Sequence, residues 1–289
     1  TGFSMDEVFD NMGGGRNNNA NQGSTTSGKG IIQSNLAGIN YSDEWFKDFS
    51  ASGSYNFSNN ITNNDSKANQ LSFLPTGNII TVSDSKTRNE NTGNKANFEF
   101  EYKLDPSTRI VFTPKFNQTR VDSDSASSSS SENESGQALN ESTAVSHREN
   151  TTTNFANTLN FNKVFEKKNR NLSFVFDNNN TDAITDGVNV SETIFYQDNK
   201  PNDERNQTTR NDNVNDAYSL DIEYTEPITD SLRIRFGSDF DWKNEIKDQK
   251  TFDFDADTQS YSQINQSLTT YTTSKQNSVS PKVGITLQK

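Results

Sequence analysis

"FSASGSYNFSN", residues 49–59, alternates without a break. Phe49, Ala51, Gly53, Tyr55 and Phe57 fall on one side of an extended chain, and Ser50, Ser52, Ser54, Asn56 and Ser58 on the other. Successive side chains of a strand point to opposite faces, so this is a β-strand with one apolar and one polar face. Its reading turns on which face meets water. In a soluble sheet the apolar face lines a core; in a membrane barrel it meets lipid.

The rest of the chain carries the same pattern. "ANFEFEYKL" (96–104) sets Phe98, Phe100, Tyr102 and Leu104 against Asn97, Glu99, Glu101 and Lys103, and "RIVFTPKF" (109–116) returns after the turn "DPST" (105–108). Proline in that turn sits where its fixed φ is wanted. "NFANTLNFN" (154–162), "EKKNRN" (166–171) and "LSFVF" (172–176) read as strand, turn and strand, as do "AYSLDIEYT" (217–225), "EPITD" (226–230) and "LRIRFGSDFDW" (232–242). A first strand spans 31–41 and a last one 271–287, giving about nine strands, each near the ~9–11 residues that cross a bilayer. Between the hairpins lie polar stretches of roughly 20–35 residues, among them the Ser-rich "DSDSASSSSSENES" (122–135), which are expected to be solvated loops. Short turns at one end and long loops at the other are the asymmetry of a transmembrane barrel; soluble hairpin loops run ~2–5 residues.

Composition agrees. Only 28% of the 289 residues are apolar and the mean hydropathy is −0.95, yet there are 20 Phe and 8 Tyr. So few but such large apolar groups can coat one side of a sheet and cannot fill a thick two-sided core. A net charge of −12 speaks against nucleic acid as a partner. Cysteine is absent, which excludes disulfide scaffolds and thiolate metal sites. No apolar run is long enough for a membrane helix. Trp45 and Phe46 at the first short turn, Tyr102 and Tyr224 beside later ones, and Phe240 and Trp242 at the far end of their strand suit two interfacial aromatic girdles. Pro114 and Pro281 fall inside strands, against the rule that proline removes a ladder donor.

Local motifs are weak. "GSTTSGKG" (23–30) has the glycine–lysine spacing of a phosphate loop, but Gly30 replaces the magnesium-binding hydroxyl and no strand precedes it. Asp253, Asp255 and Asp257 start like a calcium loop, but Thr258 and Ile264 stand where glycine and glutamate are needed. His147, the single histidine, has no His or Cys partner for a metal. Asn60, Asn117, Asn140 and Asn150 begin Asn-x-Ser/Thr triplets at the frequency such a composition produces by chance. The expectation is a non-enzyme with no catalytic, cofactor-binding or metal residues.

"GIIQSNLAGINYSDEW" followed by "FSASGSYNFSNN", then "FEFEYKLDPSTRIVFTPKF" and "YSLDIEYTEPITDSLRIRF", resembles the start of the barrel in outer-membrane proteins of the TonB-dependent receptor type. The resemblance implies a barrel of about 22 strands plugged by a separate domain. Residues 1–30 would be the plug-to-barrel linker and 31–289 the N-terminal portion of the barrel, an all-β antiparallel up-and-down meander in the cell outer membrane. It further implies uptake of an unknown small ligand bound by long extracellular loops. A periplasmic energy-coupling protein would drive that uptake through the plug, with outer-membrane lipid and the remaining strands as further partners. A surface adhesin and a secreted β-sheet protein without transport are the alternatives.

Two registers follow if charge pairing chooses them. The hairpin at 226–230 should set Glu223 opposite Arg233 and Asp221 opposite Arg235. The hairpin at 105–108 should set Asp105 opposite Arg109 and Glu99 opposite Lys115, avoiding Lys103 against Arg109. Tyr55, Phe57, Phe98, Phe100, Phe112, Leu220, Ile234 and Phe236 should share an exposed convex face, and Ser54, Glu99, Glu101, Asp221 and Arg235 the concave one.

Overall fold

The computed structural model describes residues 30–75, 77–197 and 200–287. Ten antiparallel strands form one sheet: β1 (Ile31–Phe46), β2 (Phe49–Ser72), β3 (Ile79–Asp105), β4 (Thr108–Asn133), β5 (Ala138–Val164), β6 (Asn171–Phe195), β7 (Asp203–Pro227), β8 (Leu232–Asp255), β9 (Ser260–Ile264) and β10 (Thr270–Leu287). Each pairs with its sequence neighbour, except that β9 and β10 both lie along β8. β9 takes the distal end of β8 and β10 the rest, so together they occupy one strand position, the ninth. The sheet is an up-and-down meander that does not close into a barrel, and the outer edges of β1 and β10 are unpaired among the described residues.

The long polar segments are not loops. Residues 122–133 belong to β4, and β3 alone runs 27 residues, roughly 90 Å at ~3.3 Å per residue. The distal connection between β2 and β3 spans only residues 73–78, and that between β4 and β5 only 134–137. Ser and Asn have low strand propensity, but here the register is already fixed by the apolar halves. Each added residue then completes ladder hydrogen bonds that would otherwise go unmade. Side chains reinforce it across strands: Thr81 with Ser131 at 3.0 Å, Ser142 with Thr193 at 3.0 Å, Thr209 with Thr251 at 3.2 Å, and Thr185 donating to Asn150 at 2.9 Å.

Both charge-based registers are corrected. In the β3–β4 hairpin Lys103 lies opposite Arg109 and Asn97 opposite Lys115, the like-charge arrangement. The turn decides: the Asp105 carboxylate accepts from the Ser107 N–H (2.7 Å), the Ser107 hydroxyl (2.5 Å) and the Thr108 hydroxyl (2.9 Å), which tightens the loop to Pro106–Ser107. These three donors hold Asp105 well below the usual carboxylate range. In the β7–β8 hairpin Glu223 lies opposite Gly237 and Asp221 opposite Asp239. The turn is wider than expected: the Ile228 and Thr229 N–H groups donate to the Leu232 carbonyl, and the Thr229 hydroxyl accepts from the Ser231 and Leu232 N–H groups. Glu226 beside it reaches the neighbouring short turn. It accepts from Lys167 (2.6 Å) and Arg170 (2.7 Å), and its carboxyl is held down to about 2, chiefly by Arg170. The shift is an even number of residues, so every side chain keeps its expected face.

The prolines find a place. The β3–β4 pairing lapses at Phe98 and Glu99, opposite Pro114 and Thr113, while Pro114 stays in register with Asn157 of β5. Pro281 sits in β10, where an edge strand tolerates a missing donor. Trp45 and Phe46 end β1 instead of forming the first turn, which is Lys47–Asp48, with Asp48 at φ 65.

Candidate functional site

The pairing joins the apolar positions of all long strands into rows on one face. One row runs Ala51, Phe100, Phe112, Leu159, Phe176, Leu220, Phe240, Val279. The next toward the short turns runs Phe49, Tyr102, Ile110, Phe161, Phe174, Ile222. Rings meet along them, Phe46 on Phe49 at 4.7 Å, Phe100 on Phe112 at 6.4 Å, and Phe161 on Phe174 at 6.1 Å. The eight residues expected to share a face do so. No second layer covers them: Ala51 and Val111 are the buried hydrophobics among the described residues, and Phe98 and Phe236 are 45% and 49% exposed. The apolar belt spans residues 49–57 on β2 and 232–242 on β8 and lies wholly at the short-turn end.

The rows also record a stagger. Along the row that starts at Phe49, the first residue of β2, the chain meets the third residue of β4 (Ile110), the fourth of β6 (Phe174) and the seventh of β8 (Ser238). That is six residues over six strand steps, an average of one per strand. A rise of ~3.3 Å for each ~4.8 Å of strand spacing inclines the strands by about 35°, the lower end of the tilt found in closed barrels. At that inclination a belt of about ten residues stands ~27 Å tall, close to the ~25 Å apolar band of outer-membrane barrels.

The opposite face is polar and hollowed. A cavity of about 560 Å³ is lined by residues of six strands, β4 to β8 and β10, including Lys115, Thr158, Asp177, Ser219, Lys243 and Ser278. A flat sheet cannot enclose such a hollow, so the polar face is concave there. Its charges are satisfied diagonally and by third strands. Glu101 accepts from Arg109 Nε and an Nη at 2.9 Å each, with Lys103 at 3.6 Å, and so places one carboxylate between the two facing cations. Arg235 reaches Glu223 at 3.3 Å. Lys282 of β10 bridges the facing Asp221 and Asp239 at 3.2 and 2.6 Å. Glu101→Gln leaves Lys103 and Arg109 opposed with no carboxylate between them. The expected cost is about 0.2–1 kcal/mol, read as a lower urea midpoint that high salt restores.

The motif residues scatter. The phosphate-loop resemblance at 23–30 and the linker at 1–30 lie outside the described residues, save Gly30. Asp253 binds Gln207 (2.7 Å) and Asn265 (3.0 Å), whereas Asp255 caps its own turn through the Asp257 N–H (2.9 Å), so the three aspartates do not converge. Asn60, Asn117, Asn140 and Asn150 lie in strands. His147 lies on β5 and not in a loop; its Nδ1 stands 2.9 Å from Asp124 Oδ1 and 3.7 Å from Asp122 Oδ1 of β4. The Asp124 carboxylate, then Asp122 and Glu149, raise its pKa above the ordinary value. Sequence spacing alone could not bring these together, since the aspartates lie in the segment read as a loop.

No protein-family model matches the chain, and the comparison with curated proteins finds no match.

Proposed function

We propose that this sheet is a sector of the wall of an outer-membrane β-barrel of the TonB-dependent receptor type, the part to which residues 31–289 contribute. One observation carries the reading. An unpartnered apolar belt, one bilayer core tall, runs across strands staggered by one residue each on average; lipid on one side and a wet lumen on the other would account for the belt, and closure into a barrel for the stagger. The free edges of β1 and β10 would meet the remaining strands of the wall. The concave face, with its lysines, carboxylates and amides, would face the lumen and there meet the plug and a small ligand. Since the distal connections at 73–78 and 134–137 are short, ligand recognition would fall to the inner wall and the strand tips rather than to long loops. Energised uptake through a periplasmic coupling protein is then the activity of the whole assembly. The distal strand halves, mostly polar on both faces, suit a surface adhesin equally, with the same barrel as support.

Topology tests the reading. The chain has no cysteine, so single ones report cleanly. Ser128→Cys, exposed on distal β4, should react with a membrane-impermeant maleimide on intact cells. Lys168→Cys, in the β5–β6 turn, should react only after lysis. Equal labelling of both on intact cells, or recovery of the protein in the soluble fraction, would refute a spanning sheet. Binding of a ligand that persists without any energised uptake would leave the adhesin standing.

A further inference from the structure

The geometry points to a divalent transition-metal site formed by Asp122, Asp124 and His147 on the distal half of the sheet, on the side that carries the apolar belt. It is independent of the membrane reading, since it needs only the β4–β5 pairing.

His147 lies directly opposite Asp124 in that ladder, and Asp122 is one row nearer the belt, opposite Glu149. Both strands are paired on both sides, so the backbone under the three residues is fixed before any ion arrives. One imidazole nitrogen and two carboxylate oxygens all lie within 4.8 Å of one another. The His147 Nδ1 stands 2.9 and 3.7 Å from the two aspartate oxygens. Tetrahedral ligands at ~2.0–2.1 Å from zinc are about 3.3 Å apart, midway between those separations, so small rotations of the side chains suffice.

The surrounding charges leave this trio to itself. Arg88 of β3, opposite Asp124, is turned to Glu90 at 2.8 Å. Arg120 of β4 holds Glu149 at 2.7 Å, and Arg210 of β7 holds Asp186 and Asp212 at 3.3 and 3.1 Å. Across β5 the next neighbour is Val188. Among the described residues neither carboxylate makes an ion pair with an arginine or lysine, Lys86 standing one row away opposite Ala126, and the two lie beside the single histidine where a divalent cation would balance them. The imidazole selects the class: nitrogen with carboxylate suits zinc, cobalt or manganese, whereas calcium and magnesium prefer all-oxygen sets. His147 and Asp124 are 51% and 54% exposed at their side chains, which gives the ion an entry path and leaves coordination positions to water. The ion would pin β4 to β5 far from the belt, where the apolar pair beside it is Ala126 opposite Val145.

The test titrates zinc chloride and, separately, calcium chloride into the full chain by calorimetry, and follows cobalt(II) by visible absorption. One zinc equivalent should bind, at least about tenfold tighter than calcium. His147→Gln and Asp124→Asn should each weaken zinc by about tenfold or more and abolish the cobalt band. Asp84→Asn removes an outer carboxylate that pairs with Lys67 and should change neither. The substituted side chains of His147, Asp124 and Asp84 are 51%, 54% and 37% exposed and fill no core, so the variants should fold. Absence of zinc binding, several weak zinc equivalents matched by calcium, or an affinity unchanged by His147→Gln would each overturn the site, the last two leaving only diffuse attraction to an acidic surface.

Discussion

Phe100→Arg should destabilise the chain in lipid bilayers by about 2–4 kcal/mol, the cost of a cation at the midplane of a barrel's lipid face. Phe100 lies in the middle of the belt, in the row of Ala51 and Phe112. Ser52→Arg, one position away on the polar face and opposite Glu99, should stay within ~0.5 kcal/mol. The contrast between neighbours is the point. If the belt instead met water, arginine at position 100 would be neutral or would improve solubility, because it removes one ring from an exposed apolar patch. Equilibrium urea unfolding in vesicles, followed by the two tryptophans, measures both variants. Equal effects at positions 52 and 100 would sink the lipid-facing assignment.

Gly53→Val should cost about 1–3 kcal/mol, a large effect for adding two methyls and the Cβ to a half-exposed strand. A Cβ at Gly53 would lie 2.3 Å from Cδ1 of Phe98 and 3.2 Å from the Asn97 carbonyl oxygen. Phe98 is directly opposite and spreads its ring over the glycine, the way an aromatic residue repairs a strand weakened by glycine. The side chain at 53 would have to expel that ring, and Phe98 stacks on Phe100 at 6.3 Å, so the disturbance enters the belt. Gly187 offers the control. A Cβ there meets the His147 carbonyl oxygen at 3.7 Å, an ordinary contact, and Gly187→Ala should be neutral or slightly stabilising because a strand glycine loses entropy on folding. Thermal unfolding of the two variants should therefore move in different directions. A Gly53→Val protein as stable as the parent would mean that Phe98 does not cover the glycine in solution.

Register shows where sequence reasoning lost its grip. Charge matching within a hairpin treats the two strands as alone. Glu101 instead takes Arg109 on the diagonal, Lys282 arrives from β10 to part Asp221 and Asp239, and Glu226 is claimed by Lys167 and Arg170 of another turn. Surface ion pairs of a fraction of a kcal/mol cannot outbid turn geometry when a partner is in reach elsewhere. The His147 cluster was hidden for a related reason. A hairpin centred near Gly136 places Asp124 opposite His147, but the Ser-rich segment carries no alternation to suggest a strand.

What the sequence by itself determined is the class and the faces. The period of two in "FSASGSYNFSN" and its counterparts, and the order of turns, dictate an antiparallel meander in which Phe100, Phe112, Leu220 and Phe236 stand on one side. Alternation is a property of each strand alone and survives any even shift of register. Tertiary structure alone decided how far the strands run, which residues face each other, and that the strands stagger by an average of one residue. Those outcomes depend on hydrogen bonds between segments tens of residues apart. Once the apolar rows lock the ladder, a polar chain with no strand signal of its own is carried along by the pairing of its backbone.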